Sequence, residues 1–424
     1  MAGTAGDTIV ALSSGRLPAA IAVIRTSGPA ATAAATTVAG QLPEPRRASL
    51  RALRGADGAL IDRALVILFP GPDTATGEDI VEYQCHGSKA VVEAVMSALA
   101  AQPGVRRAEA GEFTRRALTN GRIDLTQAEG LAELLEAENE VQRKSALLRA
   151  EGGLRRRVEG WRTALLALSA EAEVAIDYAD EEDGEASFDA GPRLGAVRDD
   201  LARLLDSPRV ERARDGVRVV VAGPPNAGKS SLVNALAGEA RAIVTHIPGT
   251  TRDLIEVPLS IGGVPVTLVD TAGLRLSSDT VEAIGIDLAR RSIGRSDLLL
   301  WLGAAEDAPV HPQRLQVASK ADIRSADGLR VSVVSGEGLD CVRDWIIARA
   351  APILPSSEQP GLNAREAILV EQCRDALSRA VGLRDPVTIA EELRLARSAL
   401  DQVTGHAGVD SLLDALFGRF CLGK

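Results

Sequence analysis

The stretch Val217–Ser231, VRVVVAGPPNAGKSS, constrains this chain more than any other. An apolar run from Val217, interrupted only by Arg218, has the length of a buried strand, and the turn after it begins at Gly223. From there Gly223, Gly228, Lys229 and Ser230 meet the spacing G-x-x-x-x-G-K-S. Glycines at those places let backbone N–H groups curl round an anion at a helix N-terminus. The lysine then reaches the outer phosphates, and the serine hydroxyl can ligate Mg²⁺. With a strand before it and the helical pattern SLVNALAG after it, the stretch predicts a phosphate-binding loop in a doubly wound α/β domain.

At 424 residues the chain is too long for one ordinary core, so two or three domains are expected. Ahead of the phosphate loop, TIVAL, AIAVIR and ALVILF read as strands of a small α+β domain over 1–121. After Asp124 the pattern turns to long helical runs. Thr126 with Glu129 reads as a capping box opening a helix that continues through LAELLEAENEVQRKSALLRA. A further helix passes through Val158, Trp161, Leu165, Leu168 and Ala172, and another covers about 193–205. Helices return past Pro352 and Pro355. An α/β domain at 214–352 is therefore read as inserted into an all-α domain made of 122–213 and 353–424.

A formal charge of −10 argues against general attraction to phosphate backbones, and 2% aromatic residues argue against stacking platforms for single strands. The four cysteines are scattered without a C-x-x-C pair, so no zinc or disulfide framework is implied. No apolar run is long enough to span a bilayer, and the N-terminus lacks a leader pattern. The chain is read as cytoplasmic, with no membrane contact.

Further segments follow in the order a GTPase requires. Around Asn226, Ala227, Gly228, Lys229, Ser230 and Ser231 the phosphate loop holds the nucleotide. The stretch Thr245, His246, Ile247, Pro248, Gly249, Thr250 and Thr251 offers the two adjacent threonines to Mg²⁺ and the γ-phosphate. The strand VTLVDTAG delivers Asp270 to the metal shell, followed by Thr271, Ala272 and Gly273, whose N–H points to the γ-phosphate. The base-reading element is Ser319-Lys320-Ala321-Asp322, where Asn-Lys-x-Asp is usual. Asp322 can pair with the guanine N1–H and exocyclic amine, while the missing asparagine removes hydrogen bonds near the base. Ser332, Val333 and Val334 open the last base-contacting loop, and the segment between DLLLWL and Ser319 is too short for the usual helix. Leu274 stands where some GTPases carry a water-orienting glutamine, so another polar group must hold the water.

Taken with TGEDIVE, HGS, GEFTRRA, NGRIDLTQAE, GTTRD and a terminal Cys-Leu-Gly-Lys, these motifs resemble the tRNA-uridine-modification GTPases, the MnmE/TrmE family, over essentially the full length. The resemblance implies an α+β N-terminal folate-binding domain, an all-α helical domain, and an inserted α/β P-loop GTPase domain. It implies a homodimer through the N-terminal domain and an FAD-dependent partner protein, together modifying C5 of the wobble uridine of certain tRNAs with a one-carbon unit from 5-formyl- or methylene-tetrahydrofolate. By the same resemblance Ser230 and Thr251 hold Mg²⁺. Asn226, Thr245, Ile247 and Thr250 hold a K⁺ that activates hydrolysis, and Glu282 orients the attacking water. On residue grounds alone Glu282 is the exposed face of a helix start. Folate falls to Arg25, Glu82 and Arg122, with Lys424 nearby; singly, each reads as a surface ion-pair member. Cys421 is either a small buried hydrophobe or, beside cations, a thiol of lowered pKa with a part in tRNA modification. The turn GRLPAA departs from the family's Gly-x-Gly. The alternative class is a regulatory, RNA-binding GTPase switch without one-carbon chemistry; against it stand the N-terminal domain and the CLGK tail.

Overall fold

The computed structural model describes residues 6–177, 190–242 except 240, 255–271, 290–323, 328–406 except 357, 416–417 and 423. They fall into two compact units, Met1–Ala132 with Asp401–Lys424, and Glu133–Leu400.

The first unit is built on a six-stranded sheet of β1 (Thr8–Leu12), β2 (Ala19–Ser27), β3 (Ser49–Arg54), β4 (Leu60–Phe69), β5 (Ile80–Gly87) and β6 (Val105–Arg107), in the order β3-β4-β5-β2-β1-β6. Neighbours run antiparallel except β1 and β6. Period-two alternation sorts the side chains. Val10, Ala22, Ile24, Val66, Val81 and Tyr83 pack under α1 (Ala31–Ala39) and α2 (Lys89–Ala100), while Ile9 and Ala11 turn to the other face, against Phe113 of α3 (Glu112–Thr119). The HGS motif is a junction. Ser88 caps α2 by accepting from Val91 N–H, and a Cβ on Gly87 would stand 2.3 Å from the Ala19 carbonyl, so no other residue fits beside β2. Away from α3, the second face leaves Ile21, Leu50 and Leu65 exposed at 60%, 57% and 41%.

Helix α4 spans Leu125–Glu136, and its cap is Asp124 rather than Thr126. Asp124 Oδ1 accepts from Gln127 N–H at 2.9 Å, and Gln127 Oε1 accepts in return from Asp124 N–H at 3.2 Å. Aspartate with glutamine three places on closes the reciprocal box two residues earlier than expected from Thr126 and Glu129. The single long helix expected here is also two, because Asn139 accepts from Gln142 N–H and starts α5 at Glu140–Ala150. Leu125, Ala128 and Ala132 bury against Leu416 and Phe417, so these two residues near the C-terminus belong to this first unit's core.

In the second unit α6 (Gly153–Asp177) buries the expected stripe Val158, Trp161, Leu165, Leu168 and Ala172, and α7 is Gly191–Leu205. A short α8 (Glu211–Asp215) leads into a seven-stranded sheet of β7 (Val217–Ala222), β8 (Arg241–Ala242), β9 (Ile255–Ile261), β10 (Val264–Asp270), β11 (Leu298–Trp301), β12 (Arg314–Ser319) and β13 (Leu329–Val331), ordered β13-β12-β11-β7-β10-β9-β8. The strands run parallel except β9, which is antiparallel to both of its neighbours, β10 and β8. Gly262 and Gly263, both at positive φ, make the β9–β10 hairpin turn. Near-continuous apolar strands such as Val217–Ala222 are buried on both faces: Val217, Val219 and Val221 pack with α9 (Lys229–Glu239) and α10 (Leu339–Ala350), while Val220 and Ala222 pack with Val269, Leu299 and Ile293 on the other side. Between β11 and β12 lies only a 3₁₀ turn at Ala305–Asp307, in place of a crossover helix. Beyond α10 come α11 (Ala364–Ala380) and α12 (Pro386–Thr404).

Candidate nucleotide site

Residues 223–228 join β7 to α9 at the carboxyl end of the parallel strands, the general place for a ligand in an open α/β sheet. Gly223 and Gly228 lie at φ 150° and 92°, and Asn226 adopts φ 60° as a non-glycine residue. Positive φ is what turns successive N–H groups inward. Lys229, 7% exposed, folds over this loop, its Nζ donating to the Gly223 carbonyl at 2.9 Å and the Pro224 carbonyl at 2.8 Å. Burial pulls the ammonium's pKa down, and the charge of Asp270 opposes that shift. Asp270 is 3% exposed and ends β10 in register with Val221 of β7. The next residue, Thr271, donates its hydroxyl to the Val221 carbonyl at 2.9 Å and fixes where the strand is left. Ser230 and Ser231 are exposed in the first turn of α9. A hydroxyl and a carboxylate at one sheet end are hard oxygen donors of the kind Mg²⁺ takes.

The segment 319–322, expected from sequence to read the base, is docked onto that loop. Ser319, at the end of β12, donates its hydroxyl to the Ala227 carbonyl at 2.6 Å, and Lys320, at φ 59°, donates from Nζ to the Asn226 carbonyl at 3.0 Å. Ala321 N–H bonds the Val331 carbonyl. Asp322 Oδ1 accepts from Ser332 Oγ at 2.8 Å, and Ser332 is wholly buried while Val333 and Val334 are exposed in the turn after it. Thus Asn226–Ser231, Asp270, Thr271, Ser319–Asp322 and Ser332–Val334 share one end of the sheet. Thr245, His246, Ile247, Pro248, Gly249, Thr250, Thr251, Ala272, Gly273, Glu282, Cys421 and Lys424 lie outside the described residues.

In the first unit Arg25 and Glu82 face each other across β2 and β5 and pair at 2.6 Å, with the guanidinium 5.8 Å from the Phe113 ring centroid. Arg122 pairs with Asp73 at 3.1 Å, and its stem packs on Gly77 of the TGEDIVE motif. The tail comes near by another route. Ser13 Oγ donates to the Gly423 carbonyl at 2.9 Å, just beyond Ala11, which registers with Arg25.

Sequence reading missed a charge network that explains two of its motifs. Arg116 of GEFTRRA bonds Glu78 of TGEDIVE, Asp7 and Glu112, and Arg106 bonds Asp7 and Glu112 in turn. Burial alone would raise the Asp7 and Glu112 pKa values, but the two arginines pull both below the usual carboxylate range. Only the Glu112–Arg116 helical spacing hinted at it. His86 was likewise passed over; its Nδ1 lies 2.8 Å from Asp62 Oδ1.

A left-handed glycine loop closing over a lysine, an acidic strand end beside it and a Ser-Lys-Ala-Asp segment tied to the loop define a P-loop nucleotide-binding domain of the GTPase class. A family model described as GTP-binding protein TrmE N-terminus matches residues 8–122, and one described as MnmE helical domain matches residues 125–421. Proteins called tRNA modification GTPase MnmE from Rhizorhabdus wittichii and Erythrobacter litoralis are 51% and 49% identical to this chain; each alignment covers 99% of it, and 97% and 100% of the respective relative. A third, from Novosphingobium aromaticivorans, is 48% identical over 99% of this chain and the whole of its own. The chain belongs to the MnmE family of tRNA modification GTPases.

Proposed function

We propose that this chain hydrolyses GTP to GDP and phosphate in the service of tRNA wobble-uridine modification. The observation that carries the reading is the single cradle formed by the Lys229 loop, Asp270 and the Ser319–Asp322 segment, in a chain of this family. The loop N–H groups and Lys229 take the phosphates, Lys229 exchanging its two carbonyl partners for phosphate oxygens. Asp322 takes the guanine donor edge, and Ser230 with Thr251 and Asp270 supplies the Mg²⁺ shell. Mg²⁺ and K⁺, when bound, neutralise charge developing on the transferred phosphoryl group, with Asn226, Thr245, Ile247 and Thr250 as K⁺ ligands. Glu282 then orients the water that Leu274 cannot.

The proposal extends to the three-domain division at 1–121, 122–213 with 353–424, and 214–352, and to a cytoplasmic homodimer working with an FAD-dependent partner on tRNA. The exposed Ile21, Leu50 and Leu65 on the open sheet face support a partner surface for the N-terminal domain. Reduced folate is assigned to the same face. The Arg25–Glu82 pair presents both donors and acceptors to a heteroaromatic edge beside Phe113, with Arg122 and Lys424 for the carboxylate tail and Cys421 near the one-carbon unit.

The test is GTP turnover of the full chain in K⁺ against Na⁺, with Glu282→Ala in parallel. Strong K⁺ acceleration that is lost in the variant is expected. A rate indifferent to the cation removes the K⁺ assignments and favours a slow regulatory switch.

A further inference from the structure

We infer that Ser319 has kept the task of tying the base-reading segment to the phosphate loop but has given up reading the base, so that guanine N7 goes unrecognised and selection rests on Asp322. The inference rests on the GTP reading and deepens it.

Guanine shows two distinct edges, one with the N7 and O6 acceptors and one with the N1–H and exocyclic amine donors. Reading N7 requires a donor from the protein. A serine hydroxyl owns one proton, whereas an asparagine amide owns two and extends further from the backbone. The one proton of Ser319 is engaged at 2.6 Å by the Ala227 carbonyl, inside the phosphate loop. Its remaining capacity is as an acceptor, which N7 cannot use. The neighbouring Lys320 ammonium is also bonded, to the Asn226 carbonyl at 3.0 Å.

The other edge is provided for differently. Asp322 is held from below by the wholly buried Ser332, at 2.8 Å, and Ser332 N–H is itself bonded to the Glu337 carbonyl. The segment between is fixed by Ala321 N–H to the Val331 carbonyl and by Arg330 Nη2 to the Ala321 carbonyl at 2.9 Å. One carboxylate oxygen is thus anchored while the group retains acceptor capacity for N1–H and the exocyclic amine. Loop tethering and base reading, which an asparagine amide could do together, are divided here between two residues.

The experiment is competition binding to the full chain against a fluorescent guanine nucleotide, using GTP, 7-deaza-GTP, in which N7 is a C–H, and ITP, which lacks the exocyclic amine. For the native sequence, GTP and 7-deaza-GTP should bind within about twofold of each other, while ITP binds about 10- to 100-fold more weakly because a hydrogen bond to a charged acceptor is lost. Ser319→Asn should tighten GTP and open a gap of about 3- to 10-fold over 7-deaza-GTP, the worth of one neutral hydrogen bond. Ser319→Ala should weaken both equally, since it loses only the tether. The inference is overturned if the native chain already binds 7-deaza-GTP several-fold more weakly than GTP, or if Ser319→Asn opens no gap. GTP competing no better than ATP would overturn the GTP reading and the inference with it, an outcome distinct from an N7 effect.

Discussion

Arg149→Met is the substitution whose consequences can be worked out furthest. Arg149 and Glu366 are both 0% exposed and form a two-pronged pair, Nη1 to Oε2 at 2.7 Å and Nη2 to Oε1 at 3.0 Å. The same guanidinium donates to the Gly361 carbonyl at 2.9 Å, and Glu366 also closes the capping box of α11 by accepting from Asn363 N–H at 2.8 Å. Burial by itself would raise the Glu366 pKa, but the arginine's charge and hydrogen bonds overbalance it and the net shift is downward. Removing one partner of such a pair costs about 3–5 kcal/mol, because the other is left charged or must be protonated inside the protein. All three tryptophans, Trp161, Trp301 and Trp345, lie in the second unit, so urea unfolding followed by tryptophan fluorescence reads that unit alone. The pH dependence also changes sign. In the native chain Glu366 has a depressed folded pKa, so its contribution is present above the unfolded glutamate value of about 4.3 and is lost as pH falls below it. In the variant the folded pKa is raised, so stability should grow as pH drops toward about 4.3. Arg149→Met/Glu366→Leu should recover most of the loss. A single variant within about 1 kcal/mol of the native chain, or a double variant no better than the single, would refute the reasoning.

Three shorter predictions concern other sites. Gly423→Val places a side chain where even a Cβ would lie 2.0 Å from the Leu12 carbonyl, so the tail should leave β1 and become open to carboxypeptidase, with the tryptophan-monitored transition unchanged. Burial pushes the Cys373 thiol up to about 12, and Cys341 is exposed, so a maleimide at neutral pH should modify Cys341 quickly and Cys373 only on unfolding, as read by peptide mass. Asp124→Ala removes the cap of α4 and should cost about 1 kcal/mol, visible as faster amide exchange at Thr126–Ala128, whereas Thr126→Val should leave the cap bond itself in place.

The parts of the fold legible in the sequence are those whose cause lies within a few residues. The phosphate loop is written in glycines that must take positive φ, the β9–β10 turn in Gly262-Gly263, and α6 in a stripe of apolar residues at helical spacing. The misread helix boundaries were also local, but two cap residues competed. Asp124 and Thr126 both suit a helix start, and the side-chain return from Gln127 decided for Asp124. Asn139 likewise outweighed an uninterrupted run of good helix formers, because a cap satisfies N–H groups that propensity cannot.

What stayed hidden is set by partners far apart in the chain. Arg149 meets Glu366 across 217 positions and Arg116 meets Asp7 across 109, and no periodicity announces either pairing. The candidate site sits between these cases. Its residue types could be named from spacing, yet the allotment of their hydrogen bonds could not. From sequence Ser319 is only a missing asparagine. In the folded chain its proton belongs to the Ala227 carbonyl, and Asp322 is held by a serine ten positions away. Since a short side chain at position 319 can satisfy the loop but not also the base, the substitution conserves the architecture of the site while narrowing what it can recognise.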